Sequence, residues 1–348
     1  MAFPQEAIGD TFSREGVRLS NTLKSLAAVP TWLTLQVVTI FIGWISISHA
    51  RSLGRFIGRC CWRWRRAERR RTCEQLRQLD PGLGHKTRQR LGKRCFEQMG
   101  ETILELVSLA GKDLDHLGSP PRRGGVAIEG LEEFRRQIAE LRCDGRGVIL
   151  ISGHIGSWEL AGSIVGREYP KDSLFLARRY LDAVEQNWVN GIRCRLGDRL
   201  VFQDESLLRS LRWLHEGGIL AMLTDLDIKR MKGIHIPFLG KNAHTTTAPA
   251  RLALKSAARL LPFFIIRDRH GYHIELDRQI DPSLMTGSEE EQIREVTMEM
   301  NGAIERAIRR HPSQWPWMHS RWHSTPEIVE RRIRVRARRS LEGEVEEA

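Results

Sequence analysis

The chain has 348 residues, a formal net charge of +12 and six cysteines. That length exceeds one small domain and suits one large α/β domain with an N-terminal attachment. The cysteines lack paired metal-ligand spacing, and the adjacent Cys60 and Cys61 cannot easily bridge, so they read as reduced thiols in a cytosol-facing protein. The positive surplus suits phosphate-bearing partners: nucleic acid, an anionic membrane or a phosphorylated glycolipid.

Residues 1–25 are a mixed polar segment. Residues 26–50 are then mostly apolar, through Leu26 to Ile47. About 20 such residues are enough to span a bilayer. Pro30, Gln36 and several Thr and Ser keep open a helix lying in the interface or packed on the domain. No small-residue cleavage site precedes the arginines further on, so this is not a signal peptide of the usual form. Nine arginines lie between Arg51 and Arg71. The positive-inside rule places them, and the rest of the chain after them, in the cytoplasm. Arg51, Arg55 and Arg59 recur every four residues among Leu53, Phe56, Ile57 and Trp64. That spacing predicts an amphipathic basic helix for an anionic membrane surface, or else a solvated helical face.

Residues 83–110 carry apolar positions at helical spacing, which closes a region of basic and amphipathic helices over 51–115. The run 118–125, Gly-Ser-Pro-Pro-Arg-Arg-Gly-Gly, reads as a linker, with a boundary near 116. Over 116–330 strands and helices alternate. Strands are predicted at 126–128, 148–152, 173–177, 200–202, 219–223 and 261–266. Helices are predicted at 131–141, 157–167, 183–196, 206–216 and 248–258. This alternation predicts an α/β fold with a central, mainly parallel sheet flanked by helices. Residues 331–348 are a charge-segregated tail with no chemistry assigned.

The strand Val148–Ser152 runs into Gly153-His154-Ile-Gly-Ser-Trp-Glu159. On one regular helix, residues five apart diverge by roughly 140°. His154 in a glycine-flanked turn and Glu159 one turn into the next helix can meet, as a base and the carboxylate that orients it. The spacing recurs at His270 and Glu275, but between two strand-like runs, where a hairpin turn is expected. Helix amides starting near Gly156 and Ser157 are candidates for stabilising an oxyanion. Arg178 is the side-chain candidate for the oxyanion or an acceptor phosphate, with a surface salt bridge as its plain alternative. Trp158 and Phe238 are the candidates for an acyl channel, or else core residues. Lys229, Arg230 and Lys232 lie on a loop that suits acceptor phosphates or an acidic carrier protein, or that is merely solvated. No Ser or Cys stands in a nucleophile-elbow context, so direct transfer is expected rather than an acyl-enzyme.

Several blocks in order resemble the bacterial lipid A late acyltransferases, within the wider lysophospholipid and glycolipid acyltransferase superfamily. They are Gly153 to Glu159, which fits His-x4-Asp/Glu; Phe175-Leu-Ala-Arg178; Arg193; Leu223-Thr-Asp225-Leu-Asp227; Gly233 to Gly240, with Pro237 and Phe238; Thr246 to Leu254, with Arg251; and Pro312 to Trp322. The likeness covers roughly residues 26–323. Ser157 stands where many members have Asn, and Leu239 replaces a second Phe. The resemblance implies transfer of a fatty acyl group from acyl carrier protein or acyl-CoA to a hydroxyl of an anionic glycolipid. His154 and Glu159 would be catalytic, and Trp158, Arg178, Arg193, Asp225, Asp227, Lys232, Phe238 and Arg251 substrate-binding. It implies an anionic inner-membrane surface and no cofactor. Asp225 and Asp227 could hold a metal, but no His-rich or EF-type spacing supports one; the arginines form no known nucleic-acid motif, so no nucleic acid is expected. Another lysolipid or glycolipid acceptor is the nearest alternative. A non-catalytic basic binding protein is the alternative from another class, resting on charge alone.

Overall fold

The computed structural model describes residues 35–109, 128–177, 183–197, 199–202, 207–228, 232–268 and 271–331. Four helices come first: α1 over residues 35–44, α2 (Ile47–Trp64), α3 (Arg66–Gln75) and α4 (His85–Leu109). The alternating region comes next, with β1 (Ile128–Glu129), α5 (Leu131–Leu141), β2 (Val148–Ser152), α6 (Trp158–Glu168), β3 (Ser173–Ala177) and α7 (Ala183–Arg195). It continues through β4 (Leu200–Phe202), α8 (Leu207–His215), β5 (Ile219–Leu223), β6 (Gly233–Phe238), β7 (Lys241–Thr246) and α9 (Ala248–Ser256). It ends with β8 (Arg259–Arg267), β9 (Tyr272–Leu276) and α10 (Glu289–Arg310).

Seven strands form one sheet in the order β1-β9-β8-β2-β5-β3-β4. Every neighbouring pair is parallel except β8–β9, which is antiparallel. All five residues of β2 are buried, as are eight of the nine in β8. Strands covered by helices on both faces read as continuous apolar runs, not as alternation. The two clusters of core side chains divide β2 by alternation: Ile149 and Ile151 belong to one, Val148 and Leu150 to the other. The expected parallel sheet is therefore present, and the connection between β8 and β9 is the hairpin expected near His270, a residue outside those described.

Two features have no counterpart among the predicted elements. Strands β6 and β7 form a separate antiparallel pair. The long helix α10 opens with a full capping box from Ser288 and Glu291, and buries Val296, Met300, Ile304 and Ile308 on one stripe. The boundary near 116, the linker, Arg178, Lys229, Arg230 and the tail from 332 lie outside the described residues. Core side chains of α4 and the α/β region belong to one cluster, since Cys95 packs with the core around Ile149 and Trp315.

The N-terminal expectations need correction. Among the described residues no helix is long and apolar enough to cross a membrane. Of the expected segment, α1 ends at residue 44 and a break at 45–46 precedes α2. The basic face of α2 also points elsewhere than expected. Arg51, Arg55 and Arg59 pair with Glu105, Glu101 and Glu97 of α4, at 3.5, 2.9 and 2.8 Å. Both series have a spacing of four, so two helices laid side by side present matching rows. Glycines allow the close approach: a Cβ on Gly54 would lie 2.4 Å from the Gly100 carbonyl oxygen, and one on Gly58 2.2 Å from that of Phe96. The face left outside is the apolar one. Phe56 and Trp64 of α2 are 59% and 75% exposed, and Phe41 and Trp44 of α1 are 64% and 85% exposed.

Candidate active site

Strands β2 and β5 are hydrogen-bonded neighbours, with Ser152 opposite Leu223. His154 and Asp225 each lie two residues past those partners, so the register brings them out side by side at the carboxyl edge of the sheet. In open α/β sheets ligands bind at that edge. Asp225 Oδ1 lies 2.8 Å from His154 Nδ1, and its Oδ2 accepts the His154 backbone N–H at 3.0 Å. The Trp315 indole N–H donates to the same Oδ2 at 2.8 Å. Asp225 is fully buried. Burial alone would raise its pKa, but the charge and hydrogen bond of His154, with the Trp315 N–H, hold it at about 2. Burial likewise lowers the His154 pKa, yet the Asp225 carboxylate, aided by the charge of Glu159, outweighs it and the net shift is upward. With Nδ1–H donating to Asp225, Nε2 carries the imidazole lone pair.

The expected orienter is therefore placed differently. Glu159, in the first turn of α6, makes a two-pronged pair with Arg193 of α7, at 2.9 and 2.7 Å. It also accepts the Trp158 indole N–H at 3.2 Å. Burial raises the Glu159 pKa, but Arg193 more than offsets this and keeps the carboxylate ionised. Glu159 thus acts on His154 through space, while Asp225 touches it. The spacing of five residues was visible in the sequence; the partner 71 residues away was not.

The turn between them is fixed from below. Gly156 has φ 64°, and a Cβ there would lie 2.0 Å from the Ile265 carbonyl oxygen. The Gly156 N–H donates to the Gln314 carbonyl at 3.1 Å, and the Ser157 N–H to the Ile265 carbonyl at 2.8 Å. Those two amides, expected to face an oxyanion, are already committed. Helix geometry leaves the first-turn amides of α6 at Trp158, Glu159 and Leu160 as the backbone donors at this edge. Ser157 Oγ donates to Glu105, which is paired with the buried Arg267. Arg267 also donates to Gln98 at 2.6 Å and Thr102 at 2.9 Å. The serine found where many family members have asparagine thus ties the histidine turn to α4.

A cavity of about 650 Å³ opens above His154. This is within the range of small-molecule sites. Leu150, Val165, Phe175, Met222 and Phe263 contribute to its apolar wall, and Glu159, Arg193 and Asp227 are polar members. Trp158 lines it as expected. Phe238, Lys232 and Arg251 do not. Phe238 is fully buried in the core, 4.6 Å below the Arg321 guanidinium and beside Trp315 and Trp322. Lys232 is exposed just before β6. Arg251 is exposed and faces Thr247 and Glu289. Asp227 Oδ2 accepts the Ser324 N–H at 2.7 Å. Sequence reasoning missed Arg71 and His319 at the cavity and Trp315 beneath it. His319 has its ring centre 6.3 Å from that of His154; burial, then the His154 charge, lowers its pKa. The resemblance had flagged the Trp-rich block, but nothing in it signals a bond to Asp225.

Fold and site together define a helix-covered α/β enzyme whose imidazole, backed by a buried carboxylate, faces an apolar-walled cavity. The sequence model of one family, bacterial lipid A biosynthesis acyltransferase, matches residues 19–324. The chain belongs to that family and is an acyltransferase. It is 23% identical over 305 residues to the lipid A biosynthesis lauroyltransferase of Escherichia coli (strain K12), covering 86% of this chain and 93% of that one. The palmitoleoyltransferase of lipid A biosynthesis from the same strain is 25% identical over 57% of this chain and 62% of its own length. A phosphatidylinositol mannoside acyltransferase of Mycobacterium tuberculosis (strain CDC 1551 / Oshkosh) is 24% identical over 56% of this chain and 59% of its own length.

Proposed function

We propose that the protein transfers a fatty acyl group from a thioester, on acyl carrier protein or CoA, to a hydroxyl of lipid A precursor or a related glycolipid. The observation that carries this reading is the His154–Asp225 pair at the mouth of an apolar-walled cavity. His154 Nε2 takes the proton as the acceptor hydroxyl attacks the thioester carbonyl. The tetrahedral intermediate then expels the thiolate, which receives that proton from the imidazolium. Asp225 holds the tautomer and stabilises the imidazolium. Glu159, pinned by Arg193, adds negative charge without taking a proton. Within the cavity the acyl chain lies against Leu150, Val165 and Phe263, and Arg71 and Arg193 supply positive charge to the anionic acceptor or the oxyanion. The relatives named for lipid A and for a phosphatidylinositol mannoside make a glycolipid the favoured acceptor.

The same reading places the protein at the cytoplasmic face of an inner membrane, with the exposed apolar residues of α1 and α2 in the lipid interface. Arg51, Arg55 and Arg59 are neutralised by α4, so attachment through α1 and the outer face of α2 is chiefly hydrophobic, with the exposed Arg63, Arg66 and Arg70 beside it.

Lipid analysis of a strain lacking the gene is the direct test. It should show a glycolipid missing one acyl chain, and an unchanged glycolipid profile breaks the acceptor assignment. With purified protein, donor alone should leave the protein mass unchanged, since direct transfer to the acceptor passes through no covalent acyl-enzyme. A stable acyl adduct on wild-type serine or cysteine would falsify direct transfer.

A further inference from the structure

A second histidine–carboxylate group lies away from the cavity, where β9 meets the end of α10. Glu275 Oε1 is 3.2 Å from His273 Nε2 and 2.5 Å from His311 Nε2. Among the described residues this group brings three candidate ligand atoms within 4.8 Å of one another. All three side chains are half-buried, and none lines the cavity above His154.

His273 faces a carboxylate at each ring nitrogen, since its Nδ1 is 3.3 Å from Asp268 Oδ2. A neutral imidazole has one N–H, so it satisfies one carboxylate and turns a lone pair on the other. A second proton, or a metal ion bound at Nε2, satisfies both carboxylates. Nδ1–H then donates to Asp268, and Nε2 and Glu275 Oε1 both give lone pairs to the ion. A carboxylate behind a ligating imidazole is the recurring outer support of metal sites. Arg310 holds Glu275 Oε2 at 2.9 Å, which leaves Oε1 for the two rings. At metal–ligand distances of about 2.0–2.2 Å, a tetrahedral site separates its ligand atoms by ~3.3 Å. The 3.2 Å between His273 and Glu275 already fits, the 2.5 Å between His311 and Glu275 would have to open by about 1 Å, and the three ligand atoms lie within 4.8 Å of one another.

We propose that His273, Glu275 and His311 bind a divalent cation of the zinc class, with water in the fourth position. Two imidazoles and one carboxylate suit zinc, cobalt or nickel, whereas calcium and magnesium take oxygen ligands. The ion would join β9 to the end of α10. From there the chain runs directly to Gln314 and Trp315, which hold the Gly156 N–H and Asp225. The site therefore acts as a clamp behind the catalytic turn.

The test uses the full-length, untagged protein, stripped of metal with chelator and then titrated with Zn²⁺ or Co²⁺. Wild type should bind one equivalent tightly and melt at a higher temperature with the ion than without it. Cobalt should give visible bands without a thiolate charge-transfer band. His311→Ala and Glu275→Gln should lose that equivalent, and Asp268→Asn should weaken it by ~10–100-fold. A protein with both exposed cysteines replaced, Cys143→Ser and Cys194→Ser, should keep it. Wild type that binds no stoichiometric ion overturns the proposal. So does binding that survives in the His311→Ala/Glu275→Gln double variant, or that disappears with the cysteines. Comparing melting of each metal-free variant separates loss of the site from loss of folding.

Discussion

Asp225 and Glu275 are both carboxylates held at a pKa of about 2, and both touch imidazole. For each, burial pushes upward and neighbouring donors push further down. At Asp225 the donors are His154 and Trp315; at Glu275 they are His311, His273 and Arg310. The two carboxylates nevertheless serve different ends. Asp225 is enclosed by protein and holds one imidazole whose other nitrogen has no hydrogen-bond partner among the described residues and lies beside a cavity. Glu275 is half-buried, shares one oxygen between two rings and gives the other to an arginine. A depressed carboxylate pKa is therefore no mark of catalysis by itself. The decisive feature is where the second imidazole nitrogen can reach.

The comparison can be broken most directly at His154. His154→Ala should lower transfer by ~10²–10⁴-fold or more while leaving circular dichroism and membrane attachment intact. Slow hydrolysis of the donor without acceptor should fall with it, because water would use the same base. Hydrolysis unchanged in the variant would remove His154 from the mechanism.

Asp225→Asn should cost roughly 10²-fold or more, since the tautomer and the imidazolium both lose their support. Its pH profile is the sharper measurement. The His154 pKa is raised in the folded protein, so neutral base appears only above its usual value, and activity should fall on the acid side. Removing the Asp225 charge takes away the main cause of that rise, so the acid limb should move to lower pH. Glu275→Gln should leave the limb in place. A limb that stays put in Asp225→Asn would mean another group titrates.

Below the turn, Arg267→Met leaves the fully buried Glu105 with Arg51, at 3.5 Å, as its remaining cation and should cost about 3–5 kcal/mol by denaturant unfolding. The double change Arg267→Met/Glu105→Leu should recover part of that loss. If the single and double variants are equally unstable, the ion pair is not what ties α4 to the catalytic turn.

The apolar face of α2 gives a smaller effect. Phe56→Ser with Trp64→Ser should weaken binding to lipid vesicles by about 10-fold or more, given ~1.5–3 kcal/mol for burying one large apolar side chain. High salt should weaken wild-type binding far less. Salt dissociation as complete as the double change would return the role to the arginines.

The smallest effect is expected in acid. The Asp225 and Glu275 pKa values lie below their unfolded values, so each contributes stability above about pH 4 that is lost as pH falls toward 2. Asp225→Asn and Glu275→Gln should each flatten stability against pH in that window, and Glu275→Gln less so, because solvent screens it. A curve for Glu275→Gln that keeps the wild-type slope would mean the carboxylate is not ionised by its neighbours.

How much was legible varies by element. Strands β2, β3, β4 and β5 stand where the apolar runs put them, because a buried strand has to be apolar along its length. Helix α10 was missed because its charged residues hide a narrow buried stripe behind an acidic first turn. The exposed face of α2 was misread because arginines beside an apolar segment look alike whether they meet lipid phosphate or carboxylates. Only the Glu97, Glu101 and Glu105 row on another helix settles which.

By itself the sequence determined the α/β alternation, the histidine at a strand end, and the glycine that the turn requires. Those depend on neighbours along the chain, through side-chain period and backbone freedom. The tertiary structure alone decided that Asp225 rather than Glu159 touches His154, that Arg193 takes Glu159, and that Phe238 is core. Those depend on which strands and helices lie side by side. The register of β2 against β5 brings together residues 71 positions apart, and no local pattern carries that information.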